Sequence, residues 1–180
     1  MIFSKPILFL DFDRTLFDLS RLMGEYFGFA HKDHYPKMRA MITAPTIPDL
    51  SPFLYPDTMP FLEEMQETHH LILVSRAQSF PEYQRRKVVG SGITSALDHI
   101  YYSVDDETKG VVIKDVLSDA KQSLRERSRF IDDNIAPLLA VKRMNPEIGV
   151  YIIDRRGILK SPPYPLDGVL HKLQDLPKIR

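Results

Sequence analysis

The sequence predicts an α/β protein in which helices cover both faces of a parallel sheet. Two observations carry this prediction. Short apolar runs alternate with stretches of helical periodicity along the chain, and these runs are continuous, as in strands that are buried on both faces. The predicted strands lie near residues 7–11, 71–75, 99–103, 129–132 and 149–153, and the predicted helices lie near 60–68, 82–90, 110–118 and 136–144.

The first predicted strand ends in two carboxylates. The apolar run from Ile7 to Leu10 is followed by Asp11 and Asp13. Residues i and i+2 of a strand point to the same side, so both carboxylates would face one point if the strand geometry persists. Two such anions repel unless a cation lies between them or one is protonated. A pair of this kind can serve as nucleophile and proton shuttle, whereas a lone Asp-x-Asp would more often cap a turn.

Polar residues also follow two later strands. Leu71 to Val74 is apolar and leads into Ser75 and Arg76; the Arg76 guanidinium could bind a phosphate or carboxylate, or form a structural salt bridge. The strand near 129–132 ends in the paired acids Asp132 and Asp133. Ligands of parallel α/β sheets bind beyond the carboxyl ends of the strands, so these residues are expected to converge with Asp11.

The sequence predicts a role for each of three helical segments. Lys109 lies at the start of the predicted helix 110–118 and faces the loops that carry the other polar residues, with Lys114 as the second choice. The run from Gln84 to Lys87 is expected to form a solvated helix face. Near the end of the chain, Val169 to Leu173 is expected to form a short helix that packs on the sheet.

Composition limits the possible roles. The 180 residues suit one domain with a modest insertion, and 24 basic residues balance 24 acidic ones. A nucleic-acid partner is not expected, because nucleic-acid-binding proteins usually carry a basic excess. There is no cysteine, so disulfide and thiolate chemistry are excluded. No apolar run approaches membrane-spanning length and no leader pattern precedes the first strand, so a cytoplasmic location without membrane association is expected.

The motifs, in their order along the chain, resemble the four signatures of the haloacid dehalogenase (HAD) superfamily. The resemblance spans most of the chain. It implies that Asp11 is the nucleophile, that Asp13 is the general acid/base, and that Thr15 steadies the turn by hydrogen bonding. It also implies that Ser75 and Lys109 bind the substrate phosphate. The family more often has glycine where this chain has Arg14.

The resemblance further implies a magnesium ion. Asp133 would bind the metal directly, Asp132 would act mostly through metal-bound water, and the two could exchange these roles. Asp11 and Asp13 complete the expected set of metal-site residues. The family often has a further acid a few residues after this pair, where this chain has Ala136 and Pro137. That departure implies a thinner or more hydrated set of metal ligands.

The family's architecture implies a Rossmann-like three-layer sandwich with a five-stranded parallel sheet in the order 5-4-1-2-3. Residues 1–18 and 58–180 would form the catalytic core. Residues 19–57 would form a small helical cap inserted after the first motif, with helices near 19–27 and 37–42 and a proline-rich second half. A cap this small would leave the site open or require a second subunit, and the sequence does not define the oligomeric state.

The function implied by the resemblance is hydrolysis of a phosphomonoester, with a small phosphorylated metabolite as substrate and an aspartyl-phosphate intermediate. Dehalogenases of the superfamily lack the second aspartate of the first motif, so Asp13 favours phosphoryl chemistry. One alternative is a phosphotransferase or mutase that passes the phosphoryl group to another hydroxyl. Others are a non-catalytic binding or regulatory protein that retains the fold, and an enzyme that acts on phosphorylated macromolecules.

Overall fold

The computed structural model describes residues 3–27, 34–77, 81–163 and 165–177, whose strands form one parallel sheet. In space the strands follow the order β3-β2-β1-β4-β5-β6, and every neighbouring pair is parallel. The bounds of the strands are β1 (Ile7–Leu10), β2 (His70–Arg76), β3 (His99–Ser103), β4 (Arg129–Asp132), β5 (Gly149–Ile153) and β6 (Gly168–Leu170).

The predicted α/β class is confirmed, and so is the order of the first five strands. The count of five was wrong, because a sixth strand pairs with β5 where the sequence suggested a helix from Val169 to Leu173. Gly168 explains the pairing. A Cβ at this position would lie 2.9 Å from Cδ1 of Tyr151 on β5, so any other residue here would force the Tyr151 ring to shift. The chain then continues into a 3₁₀ turn at Leu173–Asp175.

Helices cover both faces of the sheet. Their bounds are α1 (Leu19–Phe27), α2 (His34–Ile42), α3 (Thr58–Met65), α4 (Pro81–Gly90), α5 (Asp106–Ser118), α6 (Gln122–Arg125) and α7 (Ile135–Met144). Alternate residues of β1 enter two separate apolar cores: Leu8 and Leu10 face the side of α3 and α4, and Ile7 and Phe9 face the side of α5 and α7. No helix within the described ranges is long and apolar enough to cross a membrane.

Helices α1 and α2 occupy the segment expected to form a cap. They pack against each other, and Leu22, Met38 and Ile42 join the same apolar core as Leu10. The Arg86 side chain on α4 adds a polar contact, since its Nε donates to the Ile42 carbonyl at 2.8 Å. The apolar side of this segment is therefore continuous with the core of the sheet. The division of the chain into a core and a cap at residues 19–57 stays a prediction.

Candidate active site

The site lies where the central strands end. Strand β1 lies between β2 and β4, and Leu10 is in register with Leu73 on one side and Ile131 on the other. The ladder continues one residue further, because the Asp11 amide donates to the Ile131 carbonyl at 2.9 Å. This alignment sets Asp11 level with Asp132 at the end of β4, and the Ser75 side chain at the end of β2 lines the same cavity.

Lys109 joins two of these carboxylates. Its Nζ lies 2.5 Å from Oδ1 of Asp11 and 2.6 Å from Oδ2 of Asp132, and all three side chains are buried. Helix α5 places this lysine in its first turn, where Asp105 caps the helix by accepting from the Thr108 amide at 2.7 Å. The alternative, Lys114, lies on the exposed face of the same helix. The structure therefore brings Lys109, rather than Lys114, into the site.

Asp133 completes an acidic cluster with Asp11 and Asp132. One carboxylate oxygen from each of the three lies within 4.8 Å of the others. The Asn134 amide donates to Oδ1 of Asp132 at 2.8 Å and so fixes that carboxylate, while Asp133 is partly exposed. Arg14 approaches Asp133 at 3.9 Å from solvent. This cluster contains three of the four residues that the sequence suggested as metal ligands.

The electrostatics of the cluster favour a further cation. Burial raises the pKa of Asp11 and of Asp132, although Lys109 opposes both shifts. Burial also raises the pKa of Asp133 to about 6, helped by the charge of Asp11 and opposed by Arg14. Burial lowers the pKa of Lys109, but the two carboxylates outweigh it and the net shift is upward. Three convergent carboxylates with one buried lysine suit a hard divalent cation.

Asp13 lies apart from that cluster and has a different set of partners. Its two carboxylate oxygens accept from Lys87 Nζ at 2.6 and 2.7 Å, and Oδ2 also accepts from Gln84 Nε2 at 3.1 Å. The carboxylate is partly exposed and lines the same cavity as Asp11. The Asp13 side chain therefore does not join the three carboxylates of the expected metal site. It does lie beside Asp11, on the same cavity.

Two further residues of the site, Gln84 and Lys87, belong to none of the sequence motifs. The expected solvated face of α4 is wrong for both, since Gln84 is 3% exposed and Lys87 1% exposed. Gln84 also donates to Ser75 Oγ at 2.7 Å and so connects the ends of β1 and β2. A sequence signal does exist. Helical spacing places four residues on the buried face of α4: Tyr83, Gln84, Lys87 and Val88.

The turn after Asp13 is closed through the backbone. The Leu16 and Phe17 amides both donate to the Phe12 carbonyl, at 2.9 and 3.0 Å. The Thr15 hydroxyl is buried and has no hydrogen-bond partner among the described residues, so the expected stabilising role of its side chain is not seen. Instead the Thr15 carbonyl accepts from Arg155 at 2.6 Å.

Arg14 has a positive φ of 61°, the left-handed region that favours glycine. It is the position at which the superfamily more often has glycine. Its side chain is exposed and lines both the cavity that contains Asp11 and Asp13 and the cavity next to it.

Replacing Arg14 with glycine is expected to raise the free energy of unfolding by about 1 kcal/mol, because glycine adopts this backbone conformation without Cβ strain. The 3.9 Å contact with Asp133 is too exposed to offset that gain. Urea denaturation of Arg14→Gly, compared with Arg14→Ala, measures the effect. Arg14→Ala keeps the Cβ and should show no gain; equal stability of the two variants would contradict the strain argument.

The cavity at this site has a volume of about 410 Å³. Its polar lining includes Asp11, Asp13, Ser75, Lys109 and Asp132. Arg76 also lines it, and its NH1 donates to Asp106 Oδ1 at 3.2 Å. Both sequence interpretations of Arg76 thus remain compatible with its position. Ala136 and Pro137 follow the acidic pair as α7 begins, so no additional carboxylate enters from that turn.

The fold that carries this site is the haloacid dehalogenase-like fold. No protein-family model matches the sequence, and no curated protein matches it either. Solved structures do. A haloacid dehalogenase-like hydrolase from Burkholderia xenovorans superposes with a TM-score of 0.66 at 15% identity, covering 96% of this chain and 97% of the other. The resemblance deduced from the motifs is confirmed at the level of the fold.

Two further structures with this fold are described as different kinds of hydrolase. The HAD-hydrolase YfnB from Bacillus subtilis, described as bound to magnesium, has a TM-score of 0.59 at 15% identity, with 96% of each chain covered. The L-2-haloacid dehalogenase RSc1362 has a TM-score of 0.63 at 14% identity, with 97% of each chain covered. The neighbours thus include dehalogenases, so the likeness alone does not choose between phosphoryl and carbon–halogen chemistry.

Proposed function

We propose that this chain is a magnesium-dependent hydrolase of small phosphomonoesters. One observation carries the proposal: Lys109 holds Asp11 and Asp132 together, Asp133 completes an acidic cluster with them, and Asp13 and Ser75 line the same cavity. A buried carboxylate beside a cation site and beside a second, more exposed carboxylate is suited to covalent phosphoryl transfer.

In the first step, an oxygen of Asp11 attacks phosphorus and the bond from phosphorus to the leaving oxygen breaks. Asp13 passes a proton from the bound phosphate monoanion to that oxygen, and the alcohol departs. In the second step, Asp13 takes a proton from water as the water oxygen attacks the aspartyl-phosphate. Asp13 passes that proton to the departing phosphate, Asp11 is restored as a carboxylate, and Asp13 is again the ionised partner of Lys87.

Ser75 and Lys109 would hold the phosphoryl oxygens. The Ser75 oxygen accepts from Gln84, which leaves its own O–H available to donate to a phosphate oxygen. Lys109 supplies a buried positive charge next to Asp11. Asp11, Asp132 and Asp133 would hold magnesium, which neutralises charge on the phosphoryl group when bound.

The size of the cavity and the position of Asp13 support the choice of substrate. A cavity of about 410 Å³ suits a small phosphorylated metabolite. Asp13 supports phosphoryl transfer over dehalogenation, since a leaving alcohol needs a proton and a leaving halide does not. Dehalogenation of a small haloacid is the second candidate, because the structural neighbours include an L-2-haloacid dehalogenase.

The test is a panel of phosphorylated metabolites and 2-haloacids, assayed for phosphate and halide release with magnesium and with a chelator. Metal-dependent phosphate release supports the proposal, whereas chelator-resistant halide release would replace it with the second candidate. Added alcohols would reveal a phosphotransferase through a phosphorylated acceptor. Release of neither product would favour a binding protein or a macromolecular substrate, and phosphopeptides and nucleic-acid ends would then be assayed.

Magnesium is expected to stabilise the native chain against heat, because the ion would relieve repulsion in the acidic cluster. At a magnesium concentration about a hundredfold above Kd, the midpoint of thermal unfolding should rise by roughly 5–10 °C, which corresponds to about 2.7 kcal/mol of added stability. Thermal denaturation with magnesium and with chelator measures this shift. Asp133→Asn should abolish most of it, while Asp115→Asn, on the exposed face of α5, should not. An equal shift in both variants would place the ion elsewhere.

A further inference from the structure

Lys87 is a buried cation that none of the sequence motifs includes. Its side chain is 1% exposed, and it does not line the catalytic cavity. Removing an ammonium group from water costs several kcal/mol, so such a lysine is retained only where its charge is paired. Here the partner is Asp13, at 2.6 and 2.7 Å from its two carboxylate oxygens.

The rest of the Lys87 environment is aromatic. Its Nζ lies 5.0 Å from the ring centre of Tyr83, 5.6 Å from that of Phe12 and 5.9 Å from that of Phe17. Phe12 and Phe17 flank the turn that carries Asp13, and both are fully buried. The ammonium group is thus enclosed by residues of the catalytic turn, with its hydrogen bonds directed at Asp13.

Gln84 adds a second contact to the same carboxylate. Its amide nitrogen donates to Asp13 Oδ2 at 3.1 Å and to Ser75 Oγ at 2.7 Å. Gln84 and Lys87 are three residues apart on α4, so both reach Asp13 from one helix face. Together they bind both carboxylate oxygens and restrict rotation of the Asp13 side chain.

We propose that Gln84 and Lys87, here called the Asp13 clamp, are positioning residues that hold the Asp13 carboxyl against the leaving oxygen of the substrate. The inference rests on the proposed function and adds to it a device for leaving-group protonation. Lys87 acts through Asp13, because the Lys87 side chain is buried and does not line the cavity. Its contribution therefore depends on how much the leaving group needs a proton.

The experiment compares two esters with magnesium present: an alkyl phosphate, whose alkoxide must be protonated, and para-nitrophenyl phosphate, whose phenolate leaves without a proton. For Lys87→Met, kcat/KM is expected to fall at least about 100-fold for the alkyl ester and less than about tenfold for the nitrophenyl ester. The ratio kcat/KM is used because it covers the step in which the leaving oxygen departs. Arg85→Met, an exposed neighbour on α4, should change neither value.

A double variant tests whether Lys87 acts through Asp13. If Lys87 acts only by positioning Asp13, then Lys87→Met should cause little further loss in an Asp13→Asn background. Should Lys87→Met fail to fold, Gln84→Met removes the other half of the clamp without leaving a charge unpaired. Because Gln84 also donates to Ser75 Oγ, both esters should lose some activity, and the alkyl ester should lose at least about tenfold more than the nitrophenyl ester.

The outcomes separate the two proposals. An active native enzyme whose Lys87→Met or Gln84→Met variant loses the same factor on both esters would overturn the clamp and leave the phosphatase intact, as would additive losses in the double variant. A native chain that hydrolyses neither ester nor any panel phosphate would overturn the proposed function, and the clamp with it.

Discussion

Asp11→Asn is expected to lower kcat for phosphate release by at least about 10⁴-fold, because the amide cannot form the aspartyl-phosphate. The fold should survive. Asparagine keeps the shape of the side chain, and its Oδ1 can still accept from Lys109. Steady-state phosphate release with magnesium, together with far-UV circular dichroism, measures both results.

The same variant should be at least as stable as the native chain when no metal is present. Because burial raises the pKa of Asp11, ionisation of this group destabilises the fold. The native chain should therefore lose stability as the pH rises above about 4, the ordinary value for a carboxyl group, and Asp11→Asn should lose less. Asp115→Asn is the matched control. Full activity in Asp11→Asn would refute the assignment of the nucleophile.

Lys109→Met is expected to lower the free energy of unfolding by about 3–5 kcal/mol in the presence of a chelator. The substitution leaves the buried carboxylates of Asp11 and Asp132 facing each other without the ammonium group that binds both. Urea denaturation measures the loss. Magnesium should restore part of it, since the ion would supply positive charge to the same cluster. Phosphate release should be strongly reduced as well.

Two controls test the cause of this instability. Lys114→Met, on the exposed face of α5, should change the free energy of unfolding by no more than about 0.5 kcal/mol. Adding Asp11→Asn to Lys109→Met removes one of the two buried carboxylates that have lost their cation. The double variant should therefore be more stable than Lys109→Met alone. A Lys109→Met chain as stable as the native one would contradict this account of the buried cluster.

Most of the fold could be predicted because strands and ligand-bearing turns leave a local signal. Continuous apolar runs such as Leu71–Val74 mark strands that are buried on both faces, and the acids that interrupt such runs mark their ends. The last strand lacked this signal. Gly168–Leu170 is three residues long, and its pairing depends on the fit of Gly168 against Tyr151 across a long loop.

The order of the first five strands followed from the resemblance to the haloacid dehalogenase superfamily. The sequence alone determined the fold class and the set of polar residues at the strand ends that includes Asp11, Ser75 and Asp132. These features are local, because strand periodicity and an acid after an apolar run can be read within a few residues. The tertiary structure decided which carboxylate has which neighbour. It directs Lys109 to Asp11 and Asp132, and Lys87 to Asp13, across separations of 98, 23 and 74 residues. A lysine on a helix is buried only where a partner charge compensates its loss of water, and that partner is fixed by the packing of distant elements.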